Sequence, residues 1–171
     1  VFGAVARELW PEAHLVAVEP RGAEFGNLCR HYNEVYTLRA ELLRELVDPA
    51  PFDLVVGNPP WRNTWGDLAE VGWEVLVPAG RMLLLGPSSW GHSSEPAERA
   101  DVFRRHCPAA QWRIHGRVAF RGSGATDNRK CSWWVWHREL AQPSGELQWT
   151  VVALPELPVG DRRWKLRPGT E

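Results

Sequence analysis

Apolar residues along this chain fall into two rhythms that take turns, one helical and one extended. Phe2, Val5, Ala6 and Leu9 share a face at helical spacing, and Pro11, which lacks a backbone donor, closes that helix. Leu15-Val16-Ala17-Val18 is apolar throughout, the mark of a parallel strand covered on both faces. A short helix over 23–30, a strand over 35–38 and the opening of a helix at 39–43 follow. Residues 54–56 give another buried strand, and Leu68, Val71, Val75 and Leu76 share one face of a helix over 66–77. Pro78-Ala79-Gly80 breaks that helix before a buried strand at 81–87. Next come a helix over 95–106 with Ser94 as its N-cap, a strand at 111–114 and an aromatic strand at 130–136, expected to be antiparallel. Residues 147–154 add a strand, and the Pro-, Gly- and Arg-rich residues 155–171 read as a loose tail. The pattern predicts one α/β domain over 1–154 built on a mostly parallel open sheet, with no internal repeat.

The sharpest interruption is Phe52-Asp53-Leu54-Val55-Val56-Gly57-Asn58-Pro59-Pro60-Trp61. Two prolines cannot continue a sheet ladder, so the chain is forced out at the carboxyl edge of its strand. Open α/β sheets bind ligands at that edge. What remains there is a rigid turn carrying a side-chain amide, backbone carbonyls and a flat ring. An amino group on a ring is a poor nucleophile, because its lone pair is delocalised. The Asn58 side-chain oxygen and the Pro59 carbonyl can accept its two hydrogens, concentrating the lone pair on an incoming methyl. The prolines hold these acceptors in position beforehand, and Trp61 can stack on the ring. A strand-ending proline turn without chemistry fits the same four residues, so the flanks matter.

Asn58-Pro59-Pro60-Trp61 resembles the NPP(Y/F/W) motif of class I AdoMet-dependent methyltransferases acting on amino groups, above all the N6-adenine DNA methyltransferases. Leu76-Val77-Pro78-Ala79-Gly80-Arg81-Met82-Leu83 resembles the L-x-P-G-G-x-L passage of the same family, with Gly80 kept and Ala79 in place of the first glycine. The resemblance implies a Rossmann-like sheet with a C-terminal antiparallel hairpin, and AdoMet as cofactor. It makes Asn58, Pro59, Pro60 and Trp61 the catalytic set, Pro60 fixing the turn, with Asn58 also bordering the cofactor. Glu19, after the strand at 15–18, is placed to accept both ribose hydroxyls; a solvated strand end is the plainer reading. Glu41, with Leu42 beside it, approaches the adenine where the family usually carries Asp. A carboxylate favoured by a helix macrodipole explains Glu41 equally well. The family's G-x-G loop is not in the sequence, and Val1-Phe2-Gly3 resembles its tail, Phe2 standing just beyond the glycines. The expectation is thus an N-terminally truncated domain lacking its first strand and Gly-rich loop. Thr126 and Asp127 either border the target pocket or simply make a turn.

Composition narrows the substrate less than the motif does. Net charge is -1, so no global basic signal points to nucleic acid. Over 99–138, however, positive residues including Arg104, Arg105, Arg113, Lys130 and Arg138 outnumber Asp101 and Asp127, and on a shared face they would bind phosphates. Cys29, Cys107 and Cys131 are widely spaced, which argues for a reducing compartment, here the cytoplasm, and against disulfides or structural zinc; no metal is expected. No apolar run reaches bilayer length and no signal peptide is read. Eleven tryptophans point to core and turn packing more than to ligand contacts.

Adenine N6 in DNA leads among substrates. Guanine N2 in ribosomal RNA and glutamine amides of release factors remain open, because the motif serves those reactions too. Cytosine N4 is less favoured, since those enzymes more often carry Ser at the Asn58 position. Nucleic acid is the expected partner, DNA ahead of RNA, with no membrane. A non-catalytic nucleic-acid-binding remnant is the competing class, supported by the missing G-x-G. An NAD-binding Rossmann protein would use Glu19 but leaves Asn58-Pro59-Pro60-Trp61 unexplained.

Overall fold

The computed structural model describes residues 2–46, 52–61, 64–90, 97–114 and 130–139, with backbone alone at 46 and 97–100. Helices and strands alternate as the apolar rhythm predicts: α1 (Phe2–Leu9), β1 (Val16–Val18), α2 (Phe25–Leu28), β2 (Glu34–Tyr36), α3 (Leu43–Leu46) and β3 (Phe52–Gly57). After these come α4 (Thr64–Glu74), β4 (Leu76–Pro87), α5 (Ala97–Arg105), β5 (Ala110–Arg113) and β6 (Cys131–His137). The helix expected over 23–30 is instead a 3-10 turn at Gly22–Glu24 followed by the single turn of α2. Gly26 weakens it and α2 buries no residue, so neither propensity nor packing extends it. Ser94, Thr126, Asp127 and the expected strand and tail beyond 140 lie outside the described residues.

The strands form two pieces. β1 and β2 pair in parallel, and the second piece runs β3-β4-β6-β5. β3 and β4 are parallel, whereas β6 is antiparallel to both β4 and β5. This is the expected mixed Rossmann-like α/β sheet with its antiparallel close. Among the described residues no backbone ladder joins the two pieces. Packing links them instead: Val71 and Val75 of α4 bury with Leu43, and Val18, Tyr36, Phe52 and Val55 pack against that cluster. Leu54 and Val56, alternating with Val55 and so on the opposite face of β3, stay exposed.

The larger core is aromatic. Trp65 of α4, Phe103 of α5, Trp134 and Trp136 of β6 and Trp90 close over Met82 and Leu84 of β4. Trp65 is wholly buried, its ring 4.5 Å from Trp90 and 5.9 Å from Phe103. Large flat rings bury more area than aliphatic side chains and fix each other's orientation. At the far end of α4, Glu70 ties down α5 through Arg105 at 2.7 Å and His106 at 2.9 Å, with Trp73 stacked on the His106 ring at 4.4 Å.

β4 runs straight through the break expected at Pro78-Ala79-Gly80. Its partners shift from Phe52↔Leu76 to Leu54↔Arg81, so the ladder advances five positions on β4 against two on β3. The three extra residues are accommodated as a bulge, and pairing resumes at once. Ala79 is held at φ 66°, in the left-handed region. A Cβ on Gly80 would lie 2.8 Å from the Val77 carbonyl oxygen, so only glycine fits there. Ala79→Gly should therefore stabilise the fold by about 0.5–1 kcal/mol, the relieved strain exceeding the added freedom of the unfolded chain. In a thermal melt Tm should rise by about 1–4 °C. Gly80→Ala should lower it, and a lower Tm for Ala79→Gly would show that the bulge stores no such strain.

Candidate active site

β1 and β2 are parallel, as are β3 and β4, so within each pair the carboxyl ends lie at one end. β3 ends on Gly57, and Asn58, Pro59 and Pro60 follow outside any ladder. Pro59 is buried, Asn58 and Pro60 are exposed, and Trp61 packs half-buried against the aromatic core. The turn is thus anchored from beneath at Pro59 and Trp61 while the Asn58 amide faces solvent. The anchoring is local in origin: two fixed φ angles remove the freedom that would let Asn58 fold back onto the strand.

Glu19 follows β1 directly, its backbone N–H bonded to the Tyr36 carbonyl at 3.0 Å. Its carboxylate is clasped by one residue that sequence reasoning passed over. Arg21 donates its backbone N–H and Nε to Glu19 Oε1 at 3.0 and 2.8 Å, and its terminal nitrogen to Oε2 at 2.9 Å. The only signal for this pair in the sequence is a Glu-Pro-Arg spacing after an apolar run. The Arg21 side-chain hydrogen bonds hold the Glu19 carboxyl below the ordinary glutamate range, against a smaller opposing effect of partial burial. Glu41 lies in a 3-10 turn, Ala40–Leu42, beyond β2; it is half-exposed, and Leu42 beside it is exposed. Phe2 opens α1, exposed, with its ring 5.9 Å from Trp133 in an edge-to-face contact. Gly3 beside it packs closely on Tyr32 and His31, the residues before β2.

Glu19 thus follows β1, Glu41 and Leu42 follow β2 and the 58–61 turn follows β3, while Phe2 of α1 meets Trp133 of β6. Among the described residues no hydrogen bond joins Glu19, Glu41 and Asn58 to one another, so each is held by its own element. Among the described residues, the cations of 99–138 do not share a face. Arg105 pairs with Glu70 and Arg104 with Asp101, while the Arg138 guanidinium is bonded to the Leu76 carbonyl. Arg138 follows β6 opposite the amino end of β4, away from Asn58. Lys130, by contrast, stands at the site's edge, where its carbonyl accepts the Ser88 N–H at 2.9 Å, and Arg113 is paired beside Ser132 on the same side. Among the described residues no three metal-ligating side chains converge, and no helix is long and apolar enough to cross a membrane.

No protein-family model and no curated protein matches this sequence. Solved structures do. N-methyltransferase NodS from Bradyrhizobium japonicum WM9 superposes with a TM-score of 0.53 at 14% identity, over 79% of this chain and 79% of that one. TrmN from Thermus thermophilus gives 0.50 at 19% identity, over 80% of this chain and 40% of TrmN's length. The 16S rRNA (adenine(1408)-N(1))-methyltransferase from Catenulisporales acidiphilia gives 0.50 at 15% identity, over 79% and 81%. Identities this low establish the fold, a Rossmann-like α/β methyltransferase fold.

The Glu19–Arg21 clasp has a defined pH dependence. A depressed carboxyl pKa stabilises the folded state above the unfolded glutamate value of about 4.3, and that contribution is lost as pH falls through the lower folded value. Arg21→Ala should move the Glu19 titration upward, followed by carbon-13 NMR of the side-chain carboxyl. An unmoved titration would show that the clasp does not form in solution.

Proposed function

We propose that this protein transfers a methyl group from AdoMet to an exocyclic amino group, with adenine N6 in DNA as the leading substrate. The observation that carries this reading is the Asn58-Pro59-Pro60-Trp61 turn, anchored at Pro59 and Trp61 and open at Asn58, on the ligand-binding edge of a methyltransferase-type sheet. The Asn58 amide oxygen and the Pro59 carbonyl accept the two amino hydrogens of the target. Pro60 keeps the turn from relaxing, and Trp61 stacks on the target ring. When bound, AdoMet supplies an electrophilic methyl group. No general base with a pKa near neutrality is required, because the alkylated nitrogen loses its proton to water.

The residues at the edge suit that cofactor. An ionised carboxylate offers about four acceptor positions, and Glu19 Oε2 receives only the Arg21 terminal nitrogen among the described contacts. Room remains to accept ribose hydroxyls, and the largely exposed Arg21 side chain can shift to make more. Glu41 and Leu42 are assigned to the adenine and Phe2 to the methionine end. Lys130 and Arg113, beside the carboxyl end of β4, support a nucleic-acid partner. Ribosomal RNA guanine N2 and protein glutamine amides are the alternatives on the same turn, and an inactive nucleic-acid-binding remnant is the alternative without chemistry.

Asn58→Ala should lower methyl transfer by about 100- to 1000-fold while leaving AdoMet affinity within a few-fold, because its hydrogen bonds tighten in the transition state. Radiolabelled methyl transfer to DNA, RNA and protein measures the first, calorimetric titration the second. Activity near wild type in Asn58→Ala would remove Asn58 from the mechanism. Absence of AdoMet binding in the wild-type chain would favour the remnant. Trp61→Phe should retain more substrate affinity than Trp61→Ala, and equal losses would exclude stacking.

A further inference from the structure

The first backbone donor after Glu19 belongs to Arg21, because Pro20 has none. That donor returns to the strand end, where the Arg21 N–H meets Glu19 Oε1 at 3.0 Å. Arg21 is extended there, at φ -86° and ψ 103°, and its carbonyl accepts the Glu24 N–H at 3.0 Å as the 3-10 turn begins. Both backbone groups of Arg21 are therefore occupied whatever side chain it carries. The guanidinium closes on the same carboxylate as a fork, with Nε on Oε1 at 2.8 Å and the terminal nitrogen on Oε2 at 2.9 Å. Such a pair of bonds fixes the plane of the carboxylate as well as its place, unlike a single exposed ion-pair contact. Glu19 is itself held to β2 by its N–H on the Tyr36 carbonyl at 3.0 Å. The carboxylate thus has a set position and a set orientation, both from local contacts.

An ionised carboxylate has about four acceptor positions, two on each oxygen. Among the described residues Oε1 receives two donors and Oε2 one, so a single position stays open, on Oε2. A sugar diol that bonded both oxygens would need an opening on Oε1, and Arg21 fills that oxygen with its backbone and its side chain together. Freeing Oε1 means breaking the fork, which exchanges charge-assisted bonds for those of neutral hydroxyls. We propose that Arg21 is a specificity-determining residue of the cofactor site: its fork leaves Glu19 able to take one sugar hydroxyl, on Oε2, rather than two. The proposal rests on the AdoMet-dependent reading and deepens it, since Glu19 is the residue assigned there to the ribose. Strand position alone offers Glu19 to both hydroxyls; the fork halves that. Arg21 acts through Glu19 and makes no bond to the ligand. Its side chain is 70% exposed, so the fork can be removed without touching the core.

The test uses the full chain and calorimetric titration with three ligands: S-adenosylhomocysteine, its 2′-deoxy form and its 3′-deoxy form. For wild type, removal of one hydroxyl should raise Kd about 10-fold or more, the worth of a hydrogen bond to a charged group, and removal of the other less than about 2-fold. Arg21→Ala opens one further position on each oxygen, so both deoxy forms should then bind about 10-fold more weakly than the parent ligand. Arg21→Lys keeps the charge but not the fork, and should follow Arg21→Ala. A wild type that loses equally on both deoxy forms, loses on neither or binds none of the three ligands would overturn the proposal. So would the one-hydroxyl pattern persisting in Arg21→Ala. Methyl transfer from AdoMet, assayed on the same wild-type chain, separates the two readings. The one-hydroxyl pattern without methyl transfer leaves the role of Arg21 standing and removes the methyltransferase reading, whereas methyl transfer without that pattern does the reverse.

Discussion

The interlock of Trp65, Trp90, Trp134 and Trp136 over β4 is the contact on which the rest of the molecule depends. β4 is paired on both sides and covered by α4, so every other strand of the larger piece is referenced to it. The same indoles tie down the residues that follow the strands. Trp61 packs on the cluster directly, and Trp90 pins the turn after β4 against Gly86. A rigid edge is a requirement of the chemistry inferred for it, because acceptors that had to reorganise during methyl transfer would forfeit most of their effect.

Polar groups are distributed by end of the sheet. Toward the amino edge, Glu70 holds Arg105 and His106, and Arg138 caps a carbonyl at the start of β4, all as internal fastenings. Beyond the carboxyl ends of β1, β3 and β4, Glu19, Asn58 and Ser88 are exposed or partly exposed, as is Lys130 before β6. Glu19 is the intermediate case, ionised and aligned by Arg21 yet with an oxygen that can accept more. This division separates the helical cations from the candidate site more clearly than their count suggests.

The two parallel pieces of sheet are joined by side chains rather than by a ladder. Hydrophobic contacts of Val71 and Val75 with β1, β2 and β3 set the relative position of the two pieces, and with it that of Glu19 and Asn58. Such packing is less directional than hydrogen bonding, which leaves each half-site to be fixed by its own local interactions: the clasp at Glu19, the prolines at Asn58.

Local chemistry was legible in the sequence. The apolar rhythm located most of the described helices and strands, because periodicity is set by which side chains must be buried, and the 58–61 turn could be read from two prolines alone. Short helices were overestimated where glycine and exposure withhold support, as in α2, and the bulge at Ala79 was read as a break because three extra residues can be absorbed only when a neighbouring strand resumes the ladder beyond them. The Glu19–Arg21 clasp and the hydrogen-bonded Gln111–Ser132–Ser88 chain were not legible. The first needs a backbone that turns Arg21 back on the strand end; the second joins residues 88, 111 and 132, which only the β4-β6-β5 pairing brings within hydrogen-bond distance.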